Sequence, residues 1–307
     1  MSSNSPGPIA RRANAIRRNV RFRTKQILGK HTRILVEIRW RLGDEIMATP
    51  IYQTIKNMWP DCELSVACSY PELIEDNPYV DVVIADEIRD FSDYDRHINL
   101  RDASRTVPRQ EHYARLAGIP VPQTPPSLHW PKSDPPFDMN GQWIAVSTGA
   151  TWCTKRWPLS AWTTLCSTLH DSGYQLVQLG EGDDPIGLDH DYVNRTSIRE
   201  AGAILNQCAL FIGCDSGLLH LAAAVRTPAI GLFGPTDPGI LFGNTNPITA
   251  LRIDRPCAAC WNGPMTMRKP GVCPLHIENC LETISPDAVA TAALATLNVV
   301  TPADRCA

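Results

Sequence analysis

One segment in the second half of the chain combines groups that suit a phosphate and a sugar. The apolar run that ends at Cys214 is followed by Asp215-Ser216-Gly217 and then by a helix of small residues that contains His220. The unpaired N–H groups and the positive dipole end of such a helix attract anions, and a carboxylate suits sugar hydroxyls. Simple helix capping by Asp215 and Ser216 explains the same residues, and His220 is typical of a buried core position. The segment alone leaves both interpretations open.

Two further loops in this half carry hydroxyl, cationic and acidic side chains. Residues 147–158 follow another apolar run and include Thr151 and Lys155. Hydroxyls, loop N–H groups and cations together suit a diphosphate, although a solvated loop has the same composition. The loop that begins Gly180-Glu181 offers acceptors for a ribose, and its residue types equally favour a plain turn.

A carboxylate in the first half of the chain has a different candidate role. Asp44 follows Gly43 in a loop after the first β-branched run. A carboxylate there could take the proton from an attacking hydroxyl, which is the task of a general base. A Gly-Asp pair is also a common turn, so the position by itself does not decide between the two.

Four cysteines near the end of the chain have the spacing of metal ligands: Cys257, Cys260, Cys273 and Cys280. A pair two residues apart followed by two later thiols, with His276 between them, favours structural zinc or iron. The alternative is a group of free thiols packed under a loop, since cysteine commonly packs as a small hydrophobe.

Alternating strand-like runs and amphipathic segments must position these loops. They predict an α/β fold with two Rossmann-like domains that face each other across a cleft. One helix is predicted to begin at Thr49-Pro50, with Thr49 as its cap. The predicted organisation is a basic arm (1–32), an N-terminal domain (33–118), a Pro-rich linker (119–140) and a C-terminal domain (141–307).

The charge of the 307-residue chain is unevenly distributed. Residues 1–36 hold nine of the 29 Lys and Arg side chains and none of the 32 acidic ones, so the remainder is acidic. This division excludes a uniformly basic nucleic-acid coat protein, and the 43% hydrophobic content excludes a mainly disordered chain. With no apolar run of bilayer length and no signal-peptide core, we expect a cytoplasmic address. The arm suits peripheral contact with an anionic inner membrane, or it is a solvated tail.

Taken together, four segments resemble glycosyltransferase family 9, the ADP-heptose:lipopolysaccharide heptosyltransferases. They are Gly43-Asp44 with Thr49-Pro50, residues 155–158, residues 215–221 and residues 232–238. The resemblance covers residues 33–290. It implies the GT-B fold and an inverting transfer that requires no catalytic metal. The implied donor is a nucleotide sugar, ADP-heptose, and the implied acceptor is a lipopolysaccharide-core or other cell-envelope glycan or glycolipid.

The resemblance also implies roles for single residues. Asp44 is the base, although Glu45 stands beside it where the family usually has an apolar residue, which leaves the choice open. The donor site is implied to include Thr151 and Lys155 at the diphosphate, Glu181 at the ribose, Asp215 at the sugar, and Ser216, Gly217 and His220 on the helix that follows. A subgroup that modifies autotransporter proteins is similar in holding iron on a Cys cluster.

Three other functions remain as alternatives to transfer onto a glycan. They are a protein O-heptosyltransferase of the autotransporter-modifying type, a GT-B nucleotide-sugar epimerase and a non-catalytic binding module. A nucleic-acid partner is not expected, because the Cys cluster lies in the acidic part of the chain, away from the basic arm.

Overall fold

The computed structural model describes residues 8–182, 184–243, 248–263, 269, 271–273, 275–277 and 280–299. The chain divides into two compact units. Unit 1 comprises Met1–Ala103 and Gln110–Pro122, and unit 2 comprises Ser104–Arg109 and Gln123–Ala307. None of the described helices has the length and apolar character that a bilayer crossing demands.

Unit 1 is built on a parallel sheet of four strands: β1 (Thr32–Glu37), β2 (Cys62–Ala67), β3 (Val82–Ile84) and β4 (Arg96–Asn99). Their order is β3-β2-β1-β4, and the helices are α1 (Pro8–Ile27), α2 (Leu42–Met58) and α3 (Arg109–Ala117). Because the order reverses between β1 and β4, the loop after β1 opens at a switch point. That loop leads into Asp44.

Helix α2 begins seven residues before the predicted start at Thr49, so that prediction was wrong. Pro50 lies inside the helix, where its missing N–H leaves the carbonyl of Ile46 without its usual donor. The Thr49 hydroxyl donates to that same carbonyl at 2.9 Å. A side-chain hydrogen bond thus replaces the backbone one, and Asp44 lies in the first helical turn rather than in a loop.

The basic segment at the start of the chain belongs to unit 1 rather than to a separate arm. Helix α1 buries Phe22, whose ring meets Trp59 edge-on at 5.2 Å between centroids. Arg21 and Lys25 form ion pairs of 2.5 and 2.8 Å with the two oxygens of Asp95, whose side chain is fully buried. Burial and ion pairing hold this helix on the sheet, which the charge pattern alone did not indicate.

Unit 2 contains a parallel sheet of six strands: β5 (Trp143–Ser147), β6 (Gln175–Gln178), β7 (His190–Asp191), β8 (Leu210–Cys214), β9 (Ala229–Phe233) and β10 (Ile248–Arg252). The helices are α4 (Leu159–Asp171), α5 (Ile198–Gln207), α6 (Gly217–Ala224), α7 (Pro238–Phe242) and α8 (Pro286–Val299). Every residue of β5, β8 and β9 is buried, as expected of strands covered on both faces. Counted within the unit, the strand order is 3-2-1-4-5-6, that of a dinucleotide-binding Rossmann sheet.

Most of the predicted linker is part of unit 2. From Gln123 onward the Pro-rich segment is assigned to that unit. Phe137 stacks on Tyr192 with ring centroids 4.8 Å apart, and Trp130 lies where a side chain at Gly202 would collide with it. Aromatic packing therefore anchors a segment whose proline content indicated only a spacer.

Candidate functional site

The loops predicted to bind a ligand in unit 2 lie side by side at one edge of its sheet. Strand β8 pairs with β5 on one side and β9 on the other, all parallel. The loops that follow these three strands therefore open at the same edge, and the reversal of strand order falls between β5 and β8. This is the position where open α/β sheets bind ligands.

A buried ion pair joins two of these loops. The Nζ atom of Lys155, after β5, lies 2.5 Å from Oδ2 of Asp215, after β8. The Thr236 hydroxyl, after β9, donates to the same oxygen at 2.7 Å. No described residue contacts Oδ1 by a hydrogen bond or ion pair, so one carboxylate oxygen is held and the other stays available.

The environment keeps Asp215 ionised. Burial alone would raise the pKa of its carboxyl group. The Lys155 ammonium, together with hydrogen bonds from Lys155 and Thr236, outweighs burial and holds the pKa of Asp215 below its usual range. The cluster thus presents a fixed negative charge and a fixed positive charge at the edge of the sheet.

His220 and Ser216, both predicted to bind the donor, lie beside this pair on α6. Burial lowers the pKa of His220 to about 4, so its imidazole is neutral at physiological pH. The ring stacks on Phe242 at 4.2 Å between centroids. Ser216 occupies the N-cap position of α6 in an extended conformation, and its side chain makes no capping hydrogen bond there. Its hydroxyl and Nδ1 of His220 are buried without a hydrogen-bond partner among the described residues.

A pair of tryptophans supports Lys155, one of them in direct contact with its ammonium group. The ammonium lies 4.2 Å from the ring centroid of Trp152, which contacts the ring of Trp261 at 4.9 Å. The guanidinium of Arg105 lies over Trp261 at 3.6 Å. The backbone N–H of Trp261 donates to Pro235 at 2.8 Å, in the loop that carries Thr236. Cation–π contacts and this hydrogen bond therefore tie the loops after β5 and β9 together.

Two predicted donor-binding residues lie outside the cluster of Lys155, Asp215 and Thr236. Thr151 and Glu181 are exposed, and no described residue forms a hydrogen bond or ion pair with either side chain. Thr148, which the sequence did not single out, is buried instead and donates to the carbonyl of Asp184 at 2.9 Å. That hydrogen bond joins the loops after β5 and β6.

In unit 1, two adjacent carboxylates have different surroundings. Glu45 is buried and accepts backbone hydrogen bonds of 3.1, 2.8 and 3.1 Å from Trp40, Ser69 and Tyr70. Burial raises the pKa of Glu45, against the effect of these donors. Asp44 is half-buried in the first turn of α2, where the Tyr113 hydroxyl lies 3.4 Å from its Oδ1. Glu45 organises three chain segments, and Asp44 is the more exposed of the two carboxylates.

The four cysteines occupy one region of unit 2. Cys257, Cys260 and Cys280 are buried and Cys273 is half-buried. Burial, reinforced by repulsion among the thiolates, raises the pKa of Cys280 to about 12 and also raises the pKa of Cys260. The N–H of Leu275 donates to Sγ of Cys273 at 3.4 Å. Within the described ranges, however, no three His, Cys, Asp or Glu side chains are grouped as a metal requires.

Comparison with known proteins places this geometry in a family. The sequence profile of glycosyltransferase family 9 (heptosyltransferase) matches residues 94–269. Lipopolysaccharide heptosyltransferase 1 of Pseudomonas aeruginosa is 32% identical over 133 residues, which are 40% of this chain and 37% of that protein. The chain spans only about a third to a half of the length of the curated relatives it matches.

Solved structures share the fold over most of the chain. The Escherichia coli ADP-heptose lipopolysaccharide heptosyltransferase II has a TM-score of 0.67 at 19% identity, covering 87% of this chain and 98% of that one. The iron-containing dodecameric heptosyltransferase TibC of enterotoxigenic E. coli, in complex with ADP-D-β-D-heptose, has a TM-score of 0.73 at 19% identity, with 88% and 77% covered. At such identities the likeness establishes the fold alone, and it confirms the predicted GT-B class.

Proposed function

The chain belongs to glycosyltransferase family 9, and from this membership we propose that it is an inverting glycosyltransferase that moves heptose from ADP-heptose to a lipopolysaccharide-core acceptor. The observation that carries the proposal is the cluster of Lys155, Asp215 and Thr236 at the switch point of the unit 2 sheet. The relatives and solved structures named above are heptosyltransferases, and two of the structures are named for ADP-heptose. These names supply the donor and acceptor in the proposal.

On the donor side, the residues of unit 2 bind and orient the nucleotide sugar. The Lys155 ammonium and the N–H groups at the start of α6 stabilise the negative charge of the departing ADP diphosphate. The available Oδ1 of Asp215 accepts hydrogen bonds from sugar hydroxyls. Because Lys155 and α6 neutralise the leaving group, the proposed mechanism includes no catalytic cofactor. Thr151 and Glu181 remain proposed contacts of the diphosphate and ribose, and their exposure leaves them accessible.

On the acceptor side, Asp44 acts as the general base. Its carboxylate takes the proton from an acceptor hydroxyl as that oxygen attacks the anomeric carbon. The new glycosidic bond forms while the bond from the anomeric carbon to the ADP oxygen breaks, which inverts the configuration and releases ADP. Glu45 does not serve as the base, because its two oxygens are already occupied by backbone N–H groups.

A structural metal at the four cysteines is a separate part of the proposal. Soft thiolates select zinc or iron, and a cation among Cys257, Cys260, Cys273 and Cys280 would relieve the repulsion that helps to raise the pKa values of Cys260 and Cys280. We expect about one zinc or iron per chain in purified protein by elemental analysis, and loss of that metal in Cys260→Ser. The variant Cys166→Ser, at a buried cysteine outside the cluster, is the control. Purified protein without either metal would contradict this part alone.

The proposed acceptor also suggests where the protein works. Lipopolysaccharide-core acceptors are lipid-linked, so we place the enzyme at the cytoplasmic face of the inner membrane, in peripheral contact through the basic residues of α1. Anionic lipid attracts such residues by about 1 kcal/mol each.

A transfer assay with purified components tests the proposal. Heptose-deficient lipopolysaccharide core is incubated with ADP-heptose, or with UDP- and GDP-sugars as alternative donors, and products are identified by mass spectrometry. We expect the acceptor to gain one heptosyl group from ADP-heptose and released ADP to match it. Epimerised sugar formed from ADP-heptose alone, without transfer, would instead assign the chain to the epimerases.

A further inference from the structure

A groove on unit 1, remote in sequence from Asp44, is lined by an unusual set of side chains. It has a volume of about 550 Å³ and lies between α1 and the end of α2. Its lining includes the aromatic residues Phe22 and Trp59, the amide residues Asn19 and Gln26, and the two arginines Arg23 and Arg96. None of the described residues that line it is acidic.

Among the described residues, the two arginines of the groove have no negative partner. Arg96 is held over the rings of Phe22 and Trp59, at 5.4 and 5.1 Å, and donates to the carbonyl of Ala117. Burial lowers the pKa of Arg96, and the charge of Arg23 lowers it further. Neither guanidinium forms an ion pair with any residue in the described part of the chain. Two neighbouring positive charges without a negative partner among the described residues favour binding of an anion.

An exposed apolar stripe lies along the same side of α1 as Arg23. The spacing of four and seven residues places Ile16, Val20, Arg23 and Ile27 on one helical face. The side chains of Ile16, Val20 and Ile27 are 57%, 60% and 84% exposed. The opposite face is fixed by the ion pairs to Asp95, so the stripe is held outward.

We propose that this groove binds the phosphate of an anionic phospholipid headgroup between Arg23 and Arg96, while the apolar stripe of α1 enters the membrane interface. A free phosphate would need only the two guanidinium groups. The adjacent exposed isoleucine and valine side chains favour a lipid, since helices that combine cations with outward apolar residues lie in the interface of anionic bilayers. The choice of a lipid as the source of the phosphate rests on the membrane contact proposed above, whereas the anion site rests on the groove itself.

Vesicle binding by the full chain tests the inference. The vesicles are phosphatidylcholine alone, or phosphatidylcholine mixed with phosphatidylglycerol, and cosedimentation is measured for wild type, Arg23→Glu, Ile27→Asn and Arg89→Glu. Arg89 is an exposed arginine of the same unit outside α1, so its reversal matches the charge change. We expect Arg23→Glu to bind the anionic vesicles about tenfold more weakly than Arg89→Glu, and Ile27→Asn to be weakened as well.

Two further readouts separate this inference from the transfer reaction and from free phosphate. Transfer to a short acceptor in solution stays unchanged in Arg23→Glu, because Arg23 takes no part in the proposed chemistry. Equal vesicle binding by Arg23→Glu and Arg89→Glu overturns the inference. Calorimetric binding of inorganic phosphate that Arg23→Glu abolishes, with vesicle binding unaffected, overturns the lipid assignment. Selective loss of vesicle binding supports the inference even in a chain that transfers no sugar.

Discussion

Lys155 and Asp215, 60 residues apart in the chain, form an ion pair of 2.5 Å with both side chains largely buried. The pair exists because β5 and β8 are neighbours in the unit 2 sheet. Thr236 completes it from the next loop. The ammonium faces a leaving diphosphate in the proposed reaction, and the second carboxylate oxygen faces the sugar, so the pair orients both halves of a nucleotide sugar.

Removing one partner of this ion pair should destabilise unit 2. Lys155→Met leaves the Asp215 carboxylate buried without its cation, and we expect the free energy of unfolding to fall by about 3–5 kcal/mol. Lys155→Met with Asp215→Asn should lose less than the sum of the two single changes. Urea unfolding of all four proteins measures the coupling, and additive losses would show that the two side chains do not interact.

The Thr236 hydroxyl should matter for donor affinity through the position of Asp215. We expect Thr236→Val to weaken ADP-heptose binding by about tenfold, because a hydrogen bond to a charged group contributes roughly 1.5–3 kcal/mol. Thr236→Ser keeps the hydroxyl and should retain most of the affinity. Calorimetry distinguishes the two variants, and equal affinities in Thr236→Val and Thr236→Ser would show that the hydroxyl does not contribute to donor binding.

Neighbouring carboxylates in unit 1 should respond differently to neutralisation. Asp44→Asn should lower the rate of transfer by about 10²–10⁴-fold while thermal stability changes little, since a general base contributes in that range. Glu45→Gln should instead lower the unfolding free energy by about 1–3 kcal/mol, because an amide cannot accept all three backbone N–H groups. The transfer rates and melting temperatures of both variants decide which of the two carboxylates is the base. A larger rate loss in a fully folded Glu45→Gln would move the base to Glu45.

The buried imidazole of His220 predicts a pH dependence of stability. Its pKa is lowered to about 4 in the folded chain, against about 6.5 when unfolded. Between these values the unfolded state binds more protons, so stability falls as pH drops from about 6.5 towards 4, by on the order of 3 kcal/mol. His220→Phe keeps a ring against Phe242 and removes the titration. Chemical denaturation across this range should give a flatter profile for the variant, and parallel profiles would contradict the assignment.

The hydroxyl of Thr49 should stabilise helix α2 at the turn that contains Pro50. Thr49→Val removes the donor to the Ile46 carbonyl, and we expect a loss of about 1 kcal/mol in unfolding free energy. Thr54→Val is the control, because the Thr54 hydroxyl donates to the Pro50 carbonyl, which keeps its ordinary helical N–H partner. Equal losses in the two variants would show that the hydroxyl at Thr49 does not replace the missing backbone donor.

Local sequence patterns predicted the strands and the loops after them because both depend on neighbouring residues. The β-branched and apolar runs became β1, β2, β5 and β8, and the turn at Asp215 lies where the run ends. The start of α2 was misjudged because Pro50 normally marks a first turn, and its compensation by Thr49 is a single hydrogen bond.

Contacts between loops depend on strand order, which no local pattern carries. The segment around Thr236 was visible as a motif, but its hydroxyl meets Asp215 only because β9 lies beside β8. The sequence did not indicate that Trp261 supports Lys155, because this role arises from the packing of Trp261 on Trp152. The charge pattern identified the basic segment, whereas the burial of Phe22 and the pairing with Asp95 determined where α1 lies.

Calorimetric titration of ADP-heptose tests most directly whether Lys155 and Asp215 bind the donor and Asp44 does not. The proteins compared are the wild type, the double variant Lys155→Met/Asp215→Asn, and the single variant Asp44→Asn. We predict that Asp44→Asn binds the donor as wild type does, and that the double variant, folded by circular dichroism, binds at least about tenfold more weakly. Equal affinity in all three proteins would contradict the placement of the donor site at Lys155 and Asp215.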